Sequence, residues 1–134
     1  MDKILVVESE IVLLELLAES LDLHGFCTIT ATSLDEGYVL AKQEKPMLIL
    51  CGYSSNYLHS YEISYEIYWT FITKLRQDVE TANIPLIFMA GSDLTTIPNG
   101  QNFLTSEDVL LKPFSSKNLH EKIYSRLHKI SNPR

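Results

Sequence analysis

Short apolar segments alternate along the chain with segments of helical periodicity, and this alternation most constrains the fold. Three of the apolar segments, ILVV, MLILC and PLIFMA, are continuous runs without interleaved polar residues. Such runs are typical of strands buried on both faces of a parallel sheet. Five strands separated by helices therefore predict an α/β fold built on a doubly wound five-stranded parallel sheet. The predicted strands are Lys3–Val7, Cys27–Ala31, 47–51, 85–90 and Val109–Leu111.

Helical segments fill the intervals between the predicted strands. The first stops at Gly25, a residue type favoured just beyond a helix end, and Ser33 and Ser116 are suited to cap later helices. Residues 92–100 are rich in poor helix formers, so the fourth helical region is expected to be degraded. Together the elements predict one domain over residues 1–134. The predicted helices are 10–24, 34–43, 63–79 and a last one that Ser116 caps.

Composition and charge exclude several classes of function. Hydrophobic residues make up 46% of the 134 residues, which indicates a globular chain with a substantial core. The net charge of −6 argues against a nucleic-acid-binding surface over the whole domain, because phosphate contacts need clustered Lys and Arg. No apolar run reaches membrane-spanning length. We therefore expect a cytoplasmic protein that binds neither nucleic acid nor membrane, with Cys27 and Cys51 as buried free thiols.

The ligand site of a doubly wound sheet lies beyond the carboxyl ends of its strands. The residues that follow these ends are the candidates for a functional pocket. They are Glu8, Ser9, Glu10, Gly52, Ala90 and Lys112. No Gly-rich phosphate loop follows the first strand, which weakens the prediction of a nucleotide- or flavin-dependent enzyme. The four histidines lack metal-ligand spacing and are expected on the surface.

Four segments resemble the response-regulator receiver domain of the CheY-like family. KILVVESE is similar to its first strand and the acidic residues after it, and PMLILCG to its third strand. WTFITKLRQDVETANIPLIFMAG is similar to the third helix and fourth strand, and VLLKPF to the fifth strand with its Lys-Pro pair. The resemblance implies a flavodoxin-like three-layer α/β/α fold with strand order 2-1-3-4-5. It also implies a role in two-component or phosphorelay signalling.

The residues that perform phosphoryl transfer in that family are largely replaced here. The resemblance places Gly52 where the family has its phosphoacceptor aspartate, and Ala90 where it has Thr or Ser. Ser9 replaces one of two carboxylates that hold Mg²⁺, while Glu8 retains the other in a longer form. Lys112 remains. The sequence therefore predicts a pseudo-receiver with no phosphoacceptor, no catalytic residue, no metal and no cofactor, and hence no enzymatic activity.

Two positions are open for the side chain of the remaining lysine in the pocket. Lys112 is expected either to pair with Glu8 or Glu10, the nearest remaining anions, or to stay solvated at the pocket mouth. By the resemblance, the peptide between Lys112 and Pro113 is a candidate cis bond. Val109 stands where the family carries its switch aromatic.

Aromatic residues recur at every fourth position in a segment that is longer than the family pattern. Each step of four drifts by about 40° round an α-helix, so five such residues do not form one face. Two interpretations stay open. The aromatics cover the open end of the sheet, or they form a partner-recognition surface, since Tyr and Trp anchor many interfaces. The residues are Tyr53, Tyr57, Tyr61, Tyr65 and Trp69.

The first helix is apolar nearly all round. A helix with this pattern is normally buried, so it has either a broad core face or a part that a partner or a second copy covers. A homodimer is therefore an open alternative. The expected core face consists of Leu13, Leu16, Leu17 and Leu21, and its sideways extension of Ile11, Leu14 and Ala18.

Three functional hypotheses follow. The first is a stand-alone receiver-like module, without a separate output domain, that signals through a sensor kinase or a downstream signalling protein. The second is a conventional phosphorelay regulator with a non-standard acceptor at Tyr53, Ser54 or Ser55. The third is a small flavodoxin-like ligand binder or enzyme that uses the altered pocket. The missing aspartate favours the first over the second, and the missing phosphate loop favours it over the third.

Overall fold

The structure is a computed structural model, and it describes residues 3–53 and 64–131. Its strands are β1 (Lys3–Val7), β2 (Cys27–Ala31), β3 (Leu48–Gly52), β4 (Leu86–Ala90) and β5 (Val109–Leu111). They form one parallel sheet in the order β2-β1-β3-β4-β5, in which Val6 of β1 pairs with Leu50 of β3. The predicted α/β fold, parallel sheet and strand order are confirmed.

Helices cover both faces of the sheet. Two helices pack against one face of the sheet, and three, one of them very short, pack against the other. None of the helices among the described residues is long and apolar enough to cross a membrane. The first face carries α1 (Ile11–Leu23) and α5 (Ser116–Ser131), and the second carries α2 (Leu34–Glu44), α3 (Ser64–Gln77) and α4 (Gly100–Phe103).

The central strands are apolar throughout because both of their faces are buried. Side chains alternate along a strand, so Ile4 and Val6 of β1 face α1 and α5, whereas Leu5 and Val7 face α2 and α3. All four side chains are almost fully buried. Burial on both faces of the sheet therefore explains the continuous apolar runs of the sequence, as predicted.

The two cysteines differ in burial. Cys51, near the end of the central strand β3, is buried as expected. Cys27 is exposed, which corrects the expectation of a second buried thiol. The physical reason is position, since Cys27 begins the edge strand β2, whose side chains are only partly covered.

Serine residues cap two of the helices. The hydroxyl of Ser33 accepts a hydrogen bond from the Glu36 amide at 3.1 Å, as predicted for the start of α2. For α5 the prediction of Ser116 is wrong by one residue. Ser115 is the cap, because its hydroxyl accepts from the Asn118 amide at 3.0 Å, and Ser116 is the first helical residue.

The region between β4 and β5 contains little regular helix, which confirms the expectation for residues 92–100. A short 3₁₀ turn spans Leu94–Thr96, and α4 has only four residues. Gly100 begins α4 against the backbone of Leu94, where an added Cβ would overlap the Leu94 carbonyl. The close approach of these two backbones requires glycine at this point.

Candidate functional site

The sheet brings the predicted pocket residues to one edge. Glu8 directly follows β1, Gly52 and Ala90 end β3 and β4, and Lys112 directly follows β5. The backbone continues the sheet pairing at this edge, since the Lys112 amide donates to the Ala90 carbonyl at 2.7 Å. The sheet topology therefore brings these residues to one edge, as the sequence argument predicted, and their role as a functional pocket stays a prediction.

Glu8 occupies the space beside Gly52. Its side chain is only 7% exposed, and a Cβ added to Gly52 would overlap the Glu8 carboxylate at Oε1. The other oxygen, Oε2, accepts a hydrogen bond from the Glu10 amide at 3.0 Å. Oε1 has no hydrogen-bond partner among the described residues. A carboxylate from β1 thus lies where the side chain of residue 52 would otherwise begin.

The side chain next to this carboxylate is a poor nucleophile. Cys51 is fully buried, and desolvation, followed by the negative charge of Glu8, raises the pKa of its thiol well above the ordinary value. A thiol held in this neutral form lacks the thiolate that reacts as a nucleophile. Ala90 is also buried and brings no hydroxyl. Neither Cys51 nor Ala90 therefore supplies a reactive nucleophile at this edge of the sheet.

Lys112 points to solvent. Its side chain is exposed, and it forms no ion pair with Glu8, Glu10 or any other carboxylate among the residues the structure describes. The prediction that Lys112 pairs with one of these two carboxylates is wrong, and the alternative of a solvated lysine is the one observed. The Glu8 carboxylate instead accepts a hydrogen bond from the Glu10 amide, at the start of α1. The cis peptide between Lys112 and Pro113 is confirmed.

The pocket edge does not form a metal site among the residues described here, where no group of three His, Cys, Asp or Glu side chains converges. Ser9 and Glu10 are both exposed and lie outside the buried centre. Of the two acidic positions that the family resemblance associates with Mg²⁺, only Glu8 reaches inward. A hard cation that prefers several oxygen ligands would find one inward carboxylate there.

The aromatic series is divided between the core and positions the structure does not describe. Tyr57 and Tyr61 lie outside the described residues. Tyr53 is half-buried against Tyr68, with ring centroids 4.6 Å apart, and Tyr65 packs partly against the core. For these residues, the arrangement agrees with aromatics that cover the end of the sheet.

Trp69 is a core residue, which corrects its inclusion in a candidate interface. It is 5% exposed, its ring stacks on Phe103 at 5.1 Å, and its indole N–H donates to the Pro98 carbonyl at 2.9 Å. Sequence reasoning also missed Tyr68, which is buried edge-on against Phe88. The signal was available, since Tyr68 is one residue from Trp69 in the same helical segment.

The surface of α1 differs from the predicted one. Leu17 and Leu21 face the core as expected, but Leu14 is buried with them and leaves the proposed sideways interface. Ala18 is partly buried, and Ile11 is exposed as that interface requires. Leu16, assigned to the core face, is 60% exposed. The core face of α1 is therefore rotated away from Leu16.

An apolar stripe runs along the exposed side of α1. Val12 is 66% exposed and Leu23 is 79% exposed, and both lie on the side of Leu16. At about 100° per residue the three side chains fall within about 40° of arc. We call Val12, Leu16 and Leu23 the α1 stripe. Glu15, Glu19 and Asp22 lie beside it and are also exposed.

The chain is similar in sequence to a protein of Cyanophora paradoxa. That protein is described as "Probable transcriptional regulator ycf27", and it is 30% identical to this chain over 132 residues. The aligned region includes 98% of this chain and 50% of the relative, so the chain spans about half of that relative's length. No protein-family model matches the chain.

Two solved structures illustrate the fold that this chain shares. The chemotaxis protein CheY4 of Vibrio cholerae superposes with a TM-score of 0.76 at 16% identity, covering 94% of this chain and 98% of that one. A response regulator receiver domain from Clostridium thermocellum gives a TM-score of 0.74 at 18% identity, covering 98% of each chain. The chain thus has the CheY-like fold of response-regulator receiver domains, and its sequence resembles that of a ycf27 regulator.

Proposed function

We propose that the chain is a receiver-like signalling module that acts through protein–protein contacts and is not itself phosphorylated. The observation that carries the proposal is Gly52, where the Glu8 carboxylate occupies the space in which a side chain would begin. Receiver phosphorylation requires an aspartate at this position by the family resemblance. Glycine has no acceptor atom, and a side chain at this position would have to displace the Glu8 carboxylate.

The rest of the pocket agrees with this proposal. A phosphoryl group needs cationic or hydrogen-bond donors around its oxygens. Lys112 is exposed, and Ala90 offers no hydroxyl. The inward carboxylate of Glu8 would repel the phosphoryl oxygens, because both carry negative charge. These features favour a domain that signals by contact over a regulator with a non-standard acceptor.

Phosphoryl transfer is the direct test. Treatment with acetyl phosphate and Mg²⁺ is expected to leave the intact mass of the chain unchanged, because residue 52 has no acceptor. A receiver domain with its aspartate serves as the positive control in the same buffer. A mass increase of one phosphoryl group would contradict the proposal. Its location at Tyr53, Ser54 or Ser55 would establish the alternative of a non-standard acceptor.

The α1 stripe is the contact surface that we propose for this function. Residues 4–41 contain seven Asp and Glu and no Lys or Arg, so the stripe lies in an acidic stretch of the sequence. Exposed apolar side chains beside carboxylates fit a partner that presents apolar residues flanked by Lys or Arg. The expected partner is a sensor kinase or a downstream signalling protein with such a segment, and a second copy of the chain is the alternative.

A charge placed in the stripe tests this surface. Leu16→Glu is expected to weaken retention of the partner captured by the unmodified chain by about 2 kcal/mol, or roughly 30-fold. The melting temperature should stay nearly unchanged, because Leu16 is exposed. Val79→Glu is the matched control, since Val79 is also exposed but follows α3 on the other face of the sheet.

Two outcomes would contradict the assignment of the stripe. Equal retention of the partner by Leu16→Glu and by the unmodified chain places the interface elsewhere. Equal loss in Val79→Glu shows that added charge, and not position, weakens binding. Sedimentation of the same proteins distinguishes a second copy from another partner, because only self-association would change with chain concentration.

A further inference from the structure

A polar cluster joins α1 to α5 on one face of the sheet. The Ser20 hydroxyl lies 2.9 Å from the Ser116 hydroxyl and 3.2 Å from Nε2 of His120. The rings of His24 and His120 are stacked, with centroids 3.4 Å apart and planes inclined by 22°. Nδ1 of His24 is held at 3.0 Å from the Ser20 carbonyl. We call these four residues the α1–α5 seam.

His120 is the buried member of the seam. It is 5% exposed, which corrects the sequence expectation of a surface histidine. Its Nδ1 has no hydrogen-bond partner among the described residues. Desolvation, and then the neighbouring His24, lower the pKa of His120 below its ordinary value. A neutral imidazole is therefore the form that this site favours.

The charged environment offers His120 no compensating anion. The ionisable group of α1 stacked on it is His24. The acidic and basic side chains nearest in sequence on the two helices are Glu19, Asp22, Lys117 and Glu121, and all four are exposed. A positive charge on His120 would lie in a buried contact against the His24 ring, without the solvation that water gives an exposed imidazolium.

The same geometry argues against a metal site. The nitrogen lone pairs of an imidazole lie in the plane of its ring. Two rings stacked at 3.4 Å direct these lone pairs along nearly parallel planes and not toward one shared point. The geometry of the seam therefore favours a contact that depends on the protonation of an imidazole over one that depends on a bound metal ion.

We propose that His24 and His120 form a proton-sensitive latch, which holds α1 against α5 while the buried His120 ring is neutral and releases the seam when that ring is protonated. Release would free the C-terminal end of α1, where Ser20 and the stacked His24 contact His120. The proposal concerns the fold itself and does not depend on whether a partner binds the stripe.

The sign of the pH effect follows from the burial of His120. A histidine whose pKa is lower in the folded than in the unfolded state binds its proton more weakly when folded. As pH falls through about 6.5, the ordinary value, the unfolded or opened form takes up the proton first. Stability contributed by the seam is thus present above that pH and is lost progressively down to the folded-state pKa.

Hydrogen exchange at two pH values tests the latch. Amides of the second half of α1 and the first turns of α5 are measured at about pH 7.5 and about pH 5.5, and corrected for the intrinsic pH dependence of exchange. We expect opening to increase at the lower pH, by at most about tenfold per pH unit for each proton taken up. His120→Gln should abolish most of this increase, because it removes the buried titrating group.

A matched control variant and a second test variant complete the experiment. His128→Gln removes an exposed histidine of the same helix and should leave the pH response intact. If His120→Gln does not fold, His24→Gln should reduce the response, since it removes the stacked neighbour. Unchanged corrected exchange in the unmodified chain, or a full response in a folded His120→Gln or His24→Gln variant, would overturn the latch.

Discussion

Gly52→Ala is expected to destabilise the folded chain by about 1–3 kcal/mol, the usual cost of forcing extra volume into a packed site. The added Cβ would overlap the Glu8 carboxylate. That carboxylate cannot swing aside without losing the hydrogen bond from the Glu10 amide. Chemical denaturation gives the free energy of unfolding. Gly52→Asp should cost more, because it also sets a second carboxylate against Glu8.

A double-mutant cycle isolates the contact between these residues. Glu8→Ala removes the overlapping carboxylate, so Gly52→Ala should cost little in the Glu8→Ala background. Gly91→Ala is the matched control, because a Cβ at Gly91, directly after β4, would meet nothing within 4 Å. If Gly52→Ala and Gly91→Ala have equal effects, Glu8 does not exclude side chains from position 52.

The sheet, and the positions of Glu8, Gly52 and Ala90 along its edge, could be predicted because they depend on local patterns. The run ILVV of β1 is apolar because both faces of the strand are buried. This burial does not depend on the conformation of the loops. Parallel strands then bring Glu8, Gly52 and Ala90 to one edge by topology alone. Neither inference depends on a side-chain conformation.

The arrangement inside the pocket could not be predicted because it depends on side-chain direction. Opposite charge alone favoured a pair between Glu8 and Lys112, but the Glu10 amide is close to Glu8 in the chain and competes for its carboxylate. The same limit applies to α1, whose uniform apolar sequence does not fix its rotation. The sheet buries Leu14 and leaves Leu16 exposed.

Trp69→Ala is expected to lower the free energy of unfolding by about 3–5 kcal/mol, as for other large aromatics removed from a core. The indole joins α3 to the degraded region before β5, since it stacks on Phe103 and donates to the Pro98 carbonyl. That region has few helical hydrogen bonds of its own. Loss of the indole should therefore release it as well as leave a cavity, and chemical denaturation measures the change.

Two variants separate burial from the hydrogen bond. Trp69→Phe keeps most of the ring but removes the indole N–H, so it should cost about 1 kcal/mol for the lost bond to Pro98, in addition to a smaller packing loss. Ile67→Ala changes an exposed residue of the same helix and should have a much smaller effect than Trp69→Ala. If Trp69→Ala leaves stability unchanged, the indole is not part of the core. The aromatic series would then again be a candidate surface for partner recognition.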